Sequence, residues 1–138
     1  MIANAPPCTP AAARAATAAI VRAKGFQGVD RVVCADLTGD GRPDLAVTFF
    51  SGGTAGDTGW AVLVGGSGRW RVAVKQLDAY KVSLYVRRGD LVESQPVYRK
   101  DDPNCCPTGG FDHRRFHWTG RRFAVVRVWH DRSYRPPA

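Results

Sequence analysis

The chain has 138 residues, 44% of them hydrophobic and 23% charged, with a formal net charge of +8 at pH 7. That length and apolar share suit one folded domain that buries its own core, and they exclude a disordered chain. No apolar run approaches the length of a bilayer-spanning helix, so no transmembrane segment is expected.

Thr9-Pro10, an alanine-rich run to Lys24 and then Gly25 predict one helix, capped by Thr9, started by Pro10 and ended by Gly25. Its packing face is expected at Ala12, Ala16, Ala19, Ile20 and Ala23. Downstream, short apolar runs alternate with Gly, Pro, Asp and Asn, the pattern of an antiparallel meander. Strands are expected at residues 29–36, 45–50, 60–64, 70–77, 83–87, 91–98, 112–118 and 122–129. The fold class is therefore α+β, an N-terminal helix packed on a twisted antiparallel β-sheet of about eight strands. One domain over residues 9–130 would carry an N-terminal tail, 1–8, and a C-terminal tail, 131–138.

The connection after the first expected strand holds the densest chemistry. Asp36, Thr38, Asp40 and Asp44 occupy the first, third, fifth and ninth positions of a tight Asp-Gly loop, and Arg42 offers its carbonyl at the seventh. Alternating oxygens around such a turn suit calcium, which takes six to eight oxygen ligands in irregular geometry. The twelfth position is Val47 rather than a bidentate Glu, and the flanks read as strands, so this is no helix-loop-helix site. Thr38 brings a neutral hydroxyl where a carboxylate would bind harder. An affinity of roughly 10⁻⁴–10⁻³ M is expected. Without metal, the same residues make a hairpin whose Asp-Gly turn supplies positive φ.

Residues 33–47, with the core Asp36-Leu37-Thr38-Gly39-Asp40-Gly41-Arg42-Pro43-Asp44-Leu45, resemble one calcium-binding FG-GAP or VCBS-type repeat. Such repeats stand in tandem as propeller blades, whereas the core occurs once here, so the resemblance implies a single loop on another β-scaffold. The 36–41 stretch, the Cys105-Cys106 loop and the aromatic strand after it are together similar to small exported bacterial proteins of the LppP/LprE lipoprotein type. That resemblance implies an envelope or secreted module without an established catalytic activity. Ala5-Pro6-Pro7 before Cys8 is a poor lipid-attachment box, so Cys8 is not expected to be lipidated.

The glycine-rich 51–59 loop lacks the lysine, hydroxyl and following helix of a phosphate cradle. It is expected either as a flexible hairpin loop or as a neighbour of the 36–44 loop, to which Asp57 would add a remote oxygen. Cys8, Cys34, Cys105 and Cys106 lack zinc spacing, and their even number suits two disulfides. Three pairings are formally possible. Bonding adjacent cysteines strains the ring, so one of Cys105 and Cys106 is expected on Cys8 and the other on Cys34. Disulfides point to an extracellular or cell-envelope location. Met1–Pro7 carries no export signal, so either the sequence is a mature or shortened form with an added methionine or the protein is not exported.

His113 and His117, four apart, read as strand residues on an outer, polar face with Arg115, opposite Arg114, Phe116 and Trp118. Ser67 misses the Gly-x-Ser-x-Gly elbow. Glu93 is the only glutamate, which leaves paired-carboxylate chemistry to Asp36, Asp40 and Asp44. Sixteen of twenty basic residues are arginine, scattered from Arg14 to Arg135, a pattern that makes nucleic acid an unfavoured partner. The expectation is a monomeric, exported, non-catalytic binding module with a weak calcium-type loop, whose partner is a protein or an anionic envelope polymer. A small secreted hydrolase and a polyanion-binding or nucleic-acid-binding basic domain stand as the other two classes.

Overall fold

Two stretches, Asp44–Phe50 and Asp57–Gly66, are buried on both faces, and the fold is arranged around them. A strand without a wet face must lie in a middle layer. The computed structural model describes residues 6–133. In chain order these residues form α1 (Pro10–Lys24), β1 (Gly28–Ala35), β2 (Asp44–Phe50), β3 (Asp57–Gly66), β4 (Arg69–Gln76), β5 (Ser83–Arg87), β6 (Asp90–Pro96), β7 (Phe111–Trp118) and β8 (Phe123–Asp131). The α+β class holds, but the eight antiparallel strands divide into two four-stranded meanders, β1-β2-β3-β4 and β5-β6-β7-β8.

The first sheet is the middle of three layers. Leu45, Val47, Phe49, Ala61 and Leu63 face α1 and pack with Ala13, Ile20, Val21 and Phe26. Ala46, Trp60, Val62 and Val64 face the second sheet and meet Leu91, Phe116 and Phe123. The chain changes layer at residues 77–82. There Ala79 and Val82 donate backbone hydrogen bonds to the carbonyls of Thr58 and Asp57, both 2.9 Å, so the connector runs beside the start of β3 before β5 opens the next sheet.

Thr9 accepts from the Ala12 N–H at 3.1 Å, Pro10 opens the helix, and Gly25 closes it at φ 79°, as expected. The packing face is rotated from the expected one. Ala13 and Thr17 are the buried helix residues, whereas Ala19 and Ala23 are exposed. Thr17 tolerates burial because its hydroxyl donates to the Ala13 carbonyl at 2.7 Å, and this face brings the larger Val21 onto the sheet.

The disulfides correct the expected pairing. Cys8 bonds Cys34, with Cα atoms 6.0 Å apart, and Cys105 bonds Cys106. The reason is position. Cys34 pairs with Leu45 at one end of β2, while the 97–110 loop contacts Tyr80, Lys81 and Thr54 near the other end. The tails also differ from expectation. Pro7 accepts from the Trp70 indole N–H at 3.1 Å, and Asp131 belongs to β8; residues 1–5 and 134–138 of the expected tails lie outside the described residues.

Candidate functional site

The 36–44 loop joins β1 to β2, and its carboxylates turn inward onto the loop's own N–H groups. Asp36 accepts from Thr38 (3.3 Å) and Gly39 (2.8 Å) through one oxygen and from Gly41 (2.8 Å) through the other. Asp44 accepts from the N–H groups of Leu37 (2.8 Å) and Thr38 (3.0 Å) and from the Thr38 hydroxyl (3.2 Å). Asp40 pairs with the Arg42 guanidinium at 3.2 Å. Gly39 and Gly41 hold φ of 78° and 83°, the left-handed turn conformation that glycine adopts without strain.

Desolvation pulls the Asp36 carboxyl upward, but the N–H groups of Gly41, Gly39, Thr38 and Asp40 together hold it below the usual carboxylate range. For Asp44 burial wins over the donors from Leu37 and Thr38, and its affinity for a proton rises. The Thr38 N–H therefore sits between two carboxylates, those of Asp36 and Asp44, while Asp40 faces Arg42. Among the described residues no three His, Cys, Asp or Glu side chains converge into a metal-holding group.

Asp57 does not join this loop. It pairs with Phe50 at the far end of β2, whereas Asp44 stands at the near end, about 20 Å of extended chain away. Two bulges bring it instead to Asp30. In β1 both Asp30 and Arg31 lie opposite Thr48, and in β3 Thr58 is the extra residue between the pairs Phe49↔Gly59 and Phe50↔Asp57. Thr48 accepts from the Arg31 N–H at 3.0 Å. The Asp57 carboxyl is pushed up to about 6, chiefly by burial and then by a hydrogen bond shared with Asp30, against the opposing bond from Thr48. Arg31, Lys81 and Ser83 share the small cleft over this pair.

A second concavity lies on the second sheet. Past the reach of the first sheet, the inward face of β6, β7 and β8 lines a groove of about 690 Å³ with Glu93, Gln95, Asp112, Arg114, Val128 and His130, and Tyr98 also lines it. At its floor the buried Glu93 takes two hydrogen bonds from Arg114, 2.6 and 2.9 Å, and one from the Trp60 indole N–H at 2.6 Å. That bidentate pair raises the hold of Arg114 on its proton. Asp112 lies 2.7 Å from His130 Nδ1.

On the opposite face, the outer-face reading of His113 needs correction. It shares a face with Arg115 and His117, yet it is 1% exposed because Trp129 stacks over it at 5.0 Å. Its Nδ1 lies 2.6 Å from the Ser94 hydroxyl, and its Nε2 lies 3.0 Å from Asp131 Oδ2 but off the axis that a hydrogen bond needs. His117 is more exposed and meets Asp90 at 2.7 Å, and Arg115 meets the same carboxylate.

Sequence reasoning missed Glu93, Arg114, Asp30, Ser94 and Asp131. For Asp30 a signal existed. Two consecutive charged residues, Asp30-Arg31, interrupt the alternation between Val29 and Val32, which marks a bulge. For the others the partners come from different strands, and no local pattern announces them. No family model, curated protein or solved structure matches this chain.

Proposed function

We propose that the protein is an exported, non-catalytic binding module that receives its ligand in the groove of the second sheet and carries a weak calcium-type loop between β1 and β2. The groove is the observation that carries this reading, because its charged groups are matched to one another and Tyr98 and Val128 add apolar surface. Export is supported by the cysteines, all four of which are bonded. Against hydrolysis stands the burial of Ser94 and His113, each 1% exposed, which leaves a nucleophile without access to substrate.

At the 36–44 loop, Asp36 and Asp44 would supply the charge for calcium, with Thr38, the Arg42 carbonyl and Asp40 completing the set once Arg42 releases Asp40. Calcium supplies ordering charge there and no chemistry. Millimolar calcium should raise the melting temperature and EDTA reverse it, and Asp40→Ala should abolish the shift without unfolding the domain; a melting temperature indifferent to calcium removes the metal. For the groove, NMR titration with an anionic polymer such as polyglutamate should move the amides of Gln95, Tyr98, Asp112 and Val128 and spare α1. Turnover of an ester, glycan or phosphodiester substrate would replace the binding reading with an enzymatic one.

A further inference from the structure

Val125, Val126 and Val128 are 45%, 56% and 67% exposed, and among the described residues only Val72 joins them as an exposed large hydrophobic side chain. Three such residues within four positions of one strand form a patch rather than a scatter. The strand is β8, last in the second sheet, so among the described residues the backbone groups pointing away from β7 have no strand to pair with.

The other three sheet edges are defended. β1 lies against α1 and the disulfide-bound Cys8 segment, and its charged bulge falls at Asp30-Arg31. β4 carries Arg69, Arg71 and Lys75, and β5 is five residues long and ends at Arg87, followed by Arg88. Charge and brevity are the usual devices against strand addition. β8 has a single bulge, at Val126, between the pairs Arg115↔Arg127 and Phe116↔Val125, and beyond it the edge runs on from Arg127 to Asp131. This part of the edge also borders the groove, through Val128, Trp129 and His130.

Charge selects the occupant. Arg121, Arg122, Arg127 and Arg132 are exposed along and around β8, and among the described residues none forms a salt bridge; Arg127 lies over the Trp129 ring at 4.7 Å. A second copy laid antiparallel on this edge would set these guanidinium groups against their equivalents. An acidic strand would instead pair with them.

We infer that β8, from Val126 to Asp131, is a docking edge that adds an extended acidic segment of a partner protein as a further strand, whose aliphatic side chains cover Val126 and Val128. This rests on the binding-module reading and names the partner class for that same surface. Backbone pairing supplies the hold and the arginines the selectivity.

The test uses three labelled nine-residue peptides in fluorescence anisotropy. One alternates valine with glutamate, one alternates valine with lysine, and one is the glutamate peptide with every second amide N-methylated. The glutamate peptide should bind about tenfold or more tighter than either of the others, and less tightly as salt rises. Val128→Glu, which sets a carboxylate against the acidic strand and removes its apolar contact, should abolish that preference with an unchanged melting temperature, since the side chain is mostly solvated. Equal binding of all three peptides, absence of binding, or self-association through the β8 amides in sedimentation and NMR would overturn the inference. Polymer-induced shifts at Gln95 and Tyr98 that survive such a failure would leave the groove reading standing and remove only strand addition.

Discussion

The two sheets have the same number of strands and the same meander connectivity, yet they meet the demands of burial by different means. In the first, β2 and β3 are covered on both faces by α1 and by the second sheet, and aliphatic and aromatic side chains fill the space. In the second, the buried residues include Asp90, Glu93, Ser94 and His113, each facing a polar partner. The middle layer is fixed by volume and the outer layer by complementary polar groups. A sheet held by pairing can leave part of its face and one edge to solvent, and the groove and β8 lie there.

The sharpest way to break this contrast is to cut volume in the middle layer. Phe49 is fully buried and stacks on Phe26 at 5.1 Å, so Phe49→Ala should cost about 3–5 kcal/mol in urea unfolding, with little change between low and high salt. In the outer layer the matching cut is Glu93→Ala, which strands the Trp60 indole N–H and removes the partner of Arg114. Arg114 is partly exposed and can turn to water, so the expected loss is about 2 kcal/mol, short of a fully buried pair. If Glu93→Ala cost as much as Phe49→Ala, the division between volume and pairing would fail.

The smallest effect is expected at the end of the first sheet that departs from its apolar rule. The Asp57 carboxyl is pushed up to about 6, so in the folded state it holds a proton that the unfolded chain releases near the ordinary carboxylate value of 3.8. Its contribution to stability is complete below about pH 4 and is lost as pH rises through about 6. Solvent screening around the half-buried Asp57 and the exposed Asp30 reduces the effect to about 1 kcal/mol. Asp57→Asn should therefore stabilise the protein by that amount at pH 7 and flatten the unfolding free energy between pH 4 and 6. An unchanged slope would mean that the pair does not share a proton.

How much of this was legible in the sequence depended on whether the determinant was local. Thr9, Pro10 and Gly25 marked the helix ends because caps act within one turn, and the strands fell near their expected places because turn residues punctuate them. The division into two sheets was not read, although Leu45–Phe50 and Trp60–Val64 lack the polar alternation of a half-wet strand. The disulfide pairing was misread because it depends on which end of β2 each loop occupies, which no spacing of cysteines encodes. Among the acidic residues, the Asp36 loop was visible because its residues are neighbours in sequence. Asp30 with Asp57, and Glu93 with Trp60 and Arg114, meet only through strand register.

The Cys8–Cys34 bond has a mechanical consequence. It closes a covalent ring over a sequence separation of 26 residues, and the whole of α1 lies inside that ring. Tension applied at the amino-terminal side of Cys8 would pass through sulfur directly into β1 and its hydrogen-bonded ladder with β2, leaving the helix unloaded. Reduction reroutes the same pull through α1, whose peeling would bare Leu45, Val47 and Phe49.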